Sequence, residues 1–353
     1  MISALVETGM SDDGTAPVQT ISRPATVTGR AAGRRWWVSA LLWAALAPFV
    51  VWAALRWGGW EPTWKWDQLV AFTPYVAAAS PVVPLAAFVL RRWWTGLAGV
   101  LVACAFAVAV VPRAVPDGDP GARGPEVRVL AANLLYGQAP AEAVVDLVRR
   151  TRADVLTLQE LTPEGVAALD RAGLSRLLPH RVLSPAEGGA GSGLYARFAL
   201  AAQRPIDIGF HQVRAMVEVP GGPPVEVVSV HPCSPVNANM ARCWRDGLRA
   251  LPRASERGPV RILAGDFNAT LDHAELRRLL RSGYRDAADA TGDGLLWTWP
   301  AIGPHPSGMP PVTLDHVLVD ERAGVRAFGV HRVPGTDHRA VSAVLVPPAV
   351  VER

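Results

Sequence analysis

Several features that would mark a nucleic-acid-binding or zinc protein are scarce in this sequence. Three cysteines occur among 353 residues, and no cysteine or histidine cluster has the spacing of a zinc site. Excess charge is missing where it would count. The net charge of +4 and pI near 9.3 suggest a polyanion partner, yet from Glu126 to Arg353 there are 25 Arg against 24 Asp plus Glu, a difference of +1; the first 125 residues carry the other 10 basic and 7 acidic residues, a difference of +3. A carboxyl-terminal part so nearly neutral argues against a large phosphate-tracking surface. Lys65 is the only lysine, which together with the Ala, Gly, Pro and Arg richness reflects a GC-rich genome and not a function. A signal peptide is lacking, because the first apolar run begins too late, and there is no internal repeat.

Apolar length is what the sequence has in quantity. Half of its residues are hydrophobic, mean hydropathy is +0.18, and most of the 13 Trp precede residue 100, a composition too apolar for a wholly soluble chain. Runs at residues 36–55, 69–90 and 94–111 are each long enough for a hydrocarbon core of about 30 Å. Pro74, Pro81 and Pro84 in the second run are tolerable in a membrane helix. Trp36, Trp37, Trp57, Trp93 and Trp94 beside arginines match interfacial belts. Arg23, Arg30, Arg34 and Arg35 before the first run, and Arg91 and Arg92 before the third, place those ends in the cytoplasm by the positive-inside rule. The expected organisation is therefore a disordered cytoplasmic leader (1–33), a three-helix transmembrane anchor (34–112), a Pro/Gly-rich linker (113–125), an extracytoplasmic catalytic domain (126–347) and a tail (348–353). The bilayer is the first partner this implies.

Beyond the linker, strand-like runs and amphipathic helices follow one another, some strands adjacent and some separated by helices, which suggests mixed sheets covered by helices. Strand after strand ends or begins with a polar side chain. Asn133 ends the first, Glu160 the second, His231 a later one; Asp266 and Asn268 follow Val260–Gly265; Asp315 opens another strand and Asp337-His338 precedes the last. Glu160, Asn133 and Asp337 are hard oxygen donors that suit Mg²⁺ or Mn²⁺. His231 and His338 can donate to a phosphate or take a proton, and Asp315 can fix the tautomer of one of them. Such a set suits phosphoryl hydrolysis.

The ordered series Ala132-Asn133-Leu134, Leu158-Gln159-Glu160, Ser192-Gly193, Ser229-Val230-His231-Pro232, Gly265-Asp266-Phe267-Asn268, Thr298-Trp299, Leu314-Asp315-His316-Val317 and Thr336-Asp337-His338 resembles the endonuclease/exonuclease/phosphatase (DNase I-like) superfamily over about residues 126–347. The resemblance implies an α/β fold, a four-layer α/β sandwich of two mixed sheets flanked by helices, here preceded by three transmembrane helices. It implies Glu160 as principal metal ligand with Asn133 beside it and Asp337 completing the metal side. Asp266 would orient or deprotonate the attacking water, and Asn268 would hold that water or a phosphate oxygen. His338, paired with Asp315, would contact the phosphate, and His231 would stabilise the pentacovalent phosphorus. Leu135 stands where the family often has a second acid or amide, so the metal site is leaner there, and Thr336 replaces the common Ser. With its spans the whole resembles the actinobacterial membrane-anchored branch of VanJ-type teicoplanin-resistance proteins.

The expected activity is that of a membrane-anchored, Mg²⁺- or Mn²⁺-dependent phosphoesterase with an extracytoplasmic site, its substrate a small or lipid-linked phosphate (a cell-envelope phosphate, for instance) in preference to nucleic acid. The alternatives are an anchored nuclease, with Arg197, Arg242, Trp299 and Arg339 at the cleft mouth, and a catalytically silent binding domain. Cys233 and Cys243 are expected to pair in an oxidising compartment. Asp286 is read as a structural hydrogen bonder, and His180, His211, His273, His305 and His331 as surface or loop histidines.

Overall fold

Side-chain alternation decides the layering. In strand β1 (Val127–Asn133), Val127, Val129 and Ala131 point one way and Leu130 and Ala132 the other, and every one of these is buried. A strand covered on both faces belongs in the middle of a layered α/β structure. The structure, a computed structural model, describes residues 36–118, 121–255, 257–301 and 308–349; the expected leader and most of the tail, with His305, lie outside these.

The remaining strands are β2 (Val155–Gln159), β3 (His180–Ser184), β4 (Ser192–Ala196), β5 (Leu200–Ile208), β6 (Phe210–Val217), β7 (Val225–Val230), β8 (Val260–Asp266), β9 (Tyr284–Asp286), β10 (Asp315–Asp320), β11 (Gly324–Arg332) and β12 (Arg339–Val346). They form two six-stranded sheets, ordered β11-β12-β1-β2-β4-β3 and β5-β6-β7-β8-β10-β9. The sheets face each other across a core of small and β-branched residues, including Val127, Val129 and Val155 from one and Val227, Ile262 and Val317 from the other. On the outer face of the first sheet, Leu130, Leu156 and Leu158 pack with Val144 and Val148 of helix Ala141–Thr151. On the outer face of the second, Val228, Leu263 and Leu318 pack with Trp244 and Leu248 of helix Ala238–Ala250 and Leu276 of helix Ala274–Leu280. Helix, sheet, sheet, helix is the four-layer sandwich that the resemblance implied.

Each sheet has one parallel pair, β1 with β2 and β7 with β8, and all four strands run toward the same end of the sandwich. The antiparallel neighbours β10 and β12 begin at that end, with Asp315 opposite Asp266 in register. Polar residues that end a parallel strand or open an antiparallel one therefore converge. Two short elements escape the sequence pattern: β3, a half-exposed edge strand, and β9, only three residues long. The strand expected near Gly193–Leu200 proves to be the end of β4 and the start of β5.

Three segments are long and apolar enough to cross a membrane: Trp36–Gly58, Trp64–Val89 and Trp93–Ala114, with mean hydropathies of 2.1, 1.6 and 2.2. The third packs closely on the second because Gly96 and Gly99 leave room for Phe88 and Pro84, which a Cβ at either position would strike. The second begins earlier than its apolar run suggested and is broken into helical pieces at Trp64–Leu69, Val70–Phe72, Thr73–Ala79 and Val82–Val89, with Pro74 in the first turn of the third piece.

These segments are docked to the sandwich at one end. Arg56, at the end of the first, donates from Nε to Asp272 Oδ1 at 2.8 Å, and Arg113, at the end of the third, donates to both Asp272 oxygens at 2.7 and 2.8 Å. Asp272 is fully buried; burial pushes its pKa up, but the two guanidiniums outweigh that and hold it below the ordinary carboxylate range. Asp67 of the second segment pairs with Arg245 at 2.7 Å, and its backbone carbonyl meets His273 Nε2 at 2.6 Å. Glu61 caps helix Ala274–Leu280 by accepting from Ala274 N at 2.7 Å. One expectation is sharpened here and another corrected. The two ends of the expected linker are held, Arg113 buried against Asp272 and Gly124 N donating to Pro347 O; the compositional signal of a linker cannot register a buried ion pair. His273 is not a surface histidine but 1% exposed, because the second apolar segment covers it.

Cys233 and Cys243 are disulfide-bonded, and Gly209, at positive φ, leaves the space the sulfurs fill. Denatured without reductant, the full chain should show one reactive thiol, Cys104, and all three only after reduction; three before reduction would mean the bond does not form. Replacing Asp272 by Ala should cost about 3–5 kcal/mol, because it strands two buried cations, whereas Asp170→Ala, which breaks an exposed pair with Arg181, should cost at most about 1 kcal/mol. Melting of the two purified variants in detergent separates these outcomes.

Candidate active site

The converging strand ends need sharp local turns to aim their side chains, and the backbone carries that strain. Glu160, immediately after β2, has φ 58°, and Asn268, just after β8, has φ 48°; Leu135 and Tyr136 after β1 are also left-handed. Non-glycine residues in that region cost on the order of 1–3 kcal/mol each and gather at functional sites. Gly265, at φ 149°, lies so close to Val230 O and the Gln159 amide that any Cβ there would collide. Close approach of the two sheets is thus set one residue before Asp266. Buried polar ties fix their separation at the same end: Gln159 Nε2 donates to Ser229 Oγ at 3.0 Å, Ser229 Oγ to Leu158 O at 3.1 Å, and Thr157 Oγ1 to Ala264 O at 3.1 Å.

At the centre, Asn133 Nδ2 donates to Glu160 Oε1 at 3.0 Å and to Asp266 Oδ2 at 3.1 Å. Its own oxygen accepts from Leu135 N at 2.9 Å, so the amide is turned with its nitrogen, not its oxygen, toward the carboxylates. Glu160 Oε2 accepts from Tyr136 N at 2.8 Å. His231 Nε2 lies 3.8 Å from Glu160 Oε1 and 3.7 Å from Asp266 Oδ2, with the Phe210 ring against its own at 4.8 Å. His338 Nδ1 is 2.9 Å from Asp315 Oδ2, and its Nε2 is 3.6 Å from Asp266 Oδ2. Asn268 N donates to Asp266 Oδ1 at 2.8 Å and its side-chain amide to Pro232 O at 3.2 Å. Asp337 Oδ2 accepts from Trp299 Nε1 at 3.0 Å, while its Oδ1 is buried without a hydrogen-bond partner. All eight side chains singled out in the sequence are therefore placed at one end of the sandwich.

Burial separates the titrating groups. It raises the pKa of Glu160 against the hydrogen bonds from Asn133 and Tyr136, and raises that of Asp266 against the opposing charge of His338. It lowers His231 to about 4, with Asp266 only partly offsetting, so that this imidazole is neutral at pH 7. Burial also disfavours charge on His338, but there the Asp315 and Asp266 carboxylates win and raise the pKa to about 10. One imidazole is a neutral donor and the other a cation.

Two carboxylates with raised pKa values, a third with an unpartnered buried oxygen and no thiolate nearby form an oxygen-rich donor set that fits a hard divalent cation. Asp266, Asp315 and His338 also come within 4.8 Å of one another. His338, however, is committed to Asp315 through Nδ1, which leaves Asp337, with its unpartnered Oδ1, and Glu160, only partly buried in the cleft, as the oxygen donors open to a cation.

Other residues of the same motif series support the site from behind. Thr298 Oγ1 accepts from Leu314 N and Asp315 N, fixing the start of β10. Thr336 Oγ1 donates to Asn133 O at 2.9 Å and accepts from His338 N at 3.1 Å, so the hydroxyl that replaces serine ties β1 to the His338 loop. His316, buried, links Asp286 Oδ2 at 2.7 Å to Ala269 O at 2.9 Å and steadies the loop after Asn268; Asp286 is the structural hydrogen bonder expected. Least expected is one wall of the cleft. A cavity of about 560 Å³ holds Glu160, His231, Asp266, Asn268, Asp337 and His338, and its far side is made by Asp67, Gln68, Ala71 and Phe72 of the second apolar segment. The polar pair Asp67-Gln68 in an apolar stretch was the available clue. Of the cationic and aromatic residues considered for the cleft mouth, Trp299 lines the cavity, whereas Arg339 lies over Trp297, Arg197 pairs with Asp154 at the opposite end of β2 and Arg242 with Asn239 on its own helix.

The sequence matches the endonuclease/exonuclease/phosphatase family over residues 130–338, more than half of the chain. No curated protein matches it. Similar solved structures include an endonuclease/exonuclease/phosphatase from Beutenbergia cavernae DSM 12333 (18% identity, 64% of this chain and 72% of that one, TM-score 0.48). Others are truncated Caenorhabditis elegans TDP2 (18%, 63% and 98%, 0.47) and a family protein from Leptotrichia buccalis C-1013-b (14%, 62% and 99%, 0.46). With the family match spanning β1 to His338, and thus every strand-end residue of the cleft, the chain belongs to the endonuclease/exonuclease/phosphatase family.

Proposed function

We propose that this protein is a membrane-anchored, divalent-metal-dependent phosphoesterase whose active site faces away from the cytoplasm and whose substrate is a lipid-linked phosphate, a cell-envelope lipid phosphate being the natural case for the VanJ-type resemblance. The observation that carries the reading is the cleft wall formed by Ala71 and Phe72, residues of a segment long and apolar enough to cross a membrane. A substrate reaching Asp266 passes a surface that belongs to the anchor.

Orientation is supported by where the domain docks. Arg56, Glu61, Asp67 and Arg113 contact it from one end of the three segments, while Arg91 and Arg92 lie between the second and third at the other. If the Arg91-Arg92 turn is cytoplasmic by the positive-inside rule, the domain is outside, where the Cys233–Cys243 bond is stable.

Mg²⁺ or Mn²⁺ held by Glu160 and Asp337, with Asn133 orienting Glu160, would neutralise phosphate charge and polarise the phosphorus–oxygen bond. Asp266, buried and with a raised pKa, is suited to take a proton from an attacking water. Asn133 Nδ2 and Asn268 N hold its two oxygens in place. Neutral His231 donates a hydrogen bond to a phosphoryl oxygen without competing for the cation. Charged His338, kept so by Asp315, offsets charge that develops on the pentacovalent phosphorus. The anchored-nuclease reading loses two of its four mouth residues, Arg197 and Arg242, to partners elsewhere.

Full-length protein in vesicles, given Mg²⁺ or Mn²⁺, should hydrolyse a long-chain polyprenyl diphosphate in preference to plasmid DNA. Asp266→Asn and Glu160→Gln should each lower the rate by about 10²–10⁴-fold; wild type that cleaves only DNA would make the protein a nuclease, and wild type inert on every phosphoester would make it a binding domain. Asp315→Asn removes the main support for the charge on His338. The protonated form persists below the pKa and is lost above it, so this variant should move the alkaline limb of the rate profile from near pH 10 toward neutrality. An unshifted alkaline limb would take His338 out of the mechanism.

A further inference from the structure

Beside the catalytic cleft lies a second cavity of about 350 Å³, between the second apolar segment and the loops that precede β10. Ala71 and Val312 line both cavities, so the two adjoin along that wall. Pro74, Tyr75 and Ala78 form one side of the smaller cavity, and Leu271, Leu295 and Trp297 face them. The polar groups at its edge are already engaged. Arg113 is paired with Asp272, the Tyr75 hydroxyl donates to Pro311 O at 2.7 Å, and the Thr313 hydroxyl donates to Leu296 O at 2.6 Å. What the groove offers a visitor is carbon.

Its outer end is apolar as well. Leu295, Leu296 and Trp297 are 43%, 41% and 39% exposed, a run of large apolar side chains next to helices of membrane-spanning length. The Arg339 guanidinium lies over the exposed Trp297 ring at 4.5 Å, and Arg339 Nε is buried without a hydrogen-bond partner. Chemistry therefore changes from one cavity to the next: acidic and imidazole groups line the cleft, and beyond the shared Ala71 and Val312 the groove is lined by hydrocarbon.

We propose that this groove is the lipid-tail subsite, taking the hydrocarbon chain of a membrane lipid phosphate that enters sideways from the bilayer between the second segment and the Leu295–Trp297 loop while its phosphate rests in the cleft. The inference rests on the phosphoesterase reading for its headgroup, but its test does not. The continuity with the catalytic cavity identifies the occupant as the substrate's own chain, and the wall supplied by a membrane-length helix identifies the source as the bilayer.

Full-length protein is placed in phosphatidylcholine vesicles containing a polyprenyl phosphate with a photoreactive diazirine midway along its chain, illuminated, and mapped by peptide mass spectrometry. Label should concentrate at residues 74–78 and 295–297 and be displaced by unlabelled polyprenyl phosphate. Ala78→Trp, which fills the groove at its membrane end, should reduce that label and the turnover of long-chain diphosphate by about tenfold. The same variant should leave turnover of a short, soluble diphosphate ester unchanged, which also verifies folding, and Ala78→Ser should behave as wild type. Label spread evenly over the three apolar helices and indifferent to Ala78→Trp would mean bulk-lipid contact only and overturn the subsite. Hydrolysis with no preference for chain length would overturn it too while the phosphoesterase stands; groove labelling without any hydrolysis would sustain the subsite and sink the phosphoesterase.

Discussion

A buried carboxylate between two guanidiniums, Asp272 with Arg56 and Arg113, joins what would otherwise be two independent bodies. Ion pairs withdrawn from water seldom add net stability over well-packed apolar residues, but breaking one is costly and their geometry is demanding. Specificity of placement is what this one supplies. Arg56 and Arg113 terminate different apolar segments, so their meeting at a single side chain sets the positions of the first and third segments relative to the sandwich, and the second, packed against the third through Gly96 and Gly99, follows. Asp67 with Arg245 and His273 then aligns the second segment's first turns along the cleft.

The same loop serves chemistry and docking. Asp266 and Asn268 lie on the catalytic side of a turn that continues through Ala269, held by His316, and Thr270 to Asp272 and His273 on the anchor side. A shift of the apolar segments therefore acts on a strand end where Asn268 is already held at φ 48°. Strained backbone persists only where the surroundings over-determine it. Here the surroundings include the three apolar segments.

The legible part of this architecture was the part carried by periodicity and by strand ends. Two-sided burial of β1, β2, β7 and β8 was readable from apolar runs, and the polar residue after each run marked its carboxyl end, because parallel pairs align those ends by topology. Long-range pairings were not readable. Nothing around Arg113 distinguishes it from the other arginines of a Pro/Gly-rich stretch, and His273 reads as a polar residue at a helix start; both are explained only by Asp272 and Asp67 coming from distant positions. The edge strands β3 and β9 were lost for other reasons, β3 being too exposed and β9, at three residues, too short for an alternation to stand out. Asn133 shows the limit within the site itself. Residue type suggests an oxygen ligand, but the bond from Leu135 N fixes which end of the amide faces Glu160.

These dependences change what counts as the functional unit. A domain cut at residue 126 keeps both sheets and every strand-end residue, and by sequence match it is the family's fold. It loses Asp67, Gln68, Ala71 and Phe72 from the cleft and both guanidiniums from Asp272. The remaining cleft is open on one side, and its apolar neighbours Leu295, Leu296 and Trp297, already about two-fifths exposed, lose the second segment beside them. A small soluble phosphoester needs only the strand-end residues, whereas an amphiphile draws binding energy from surfaces remote from the reacting phosphorus, and that energy can be used to lower the barrier only if those surfaces are rigidly placed. The three apolar segments are therefore more than an appendage to the sandwich: through Asp272 they position part of the surface against which an amphiphilic substrate, as proposed, would bind.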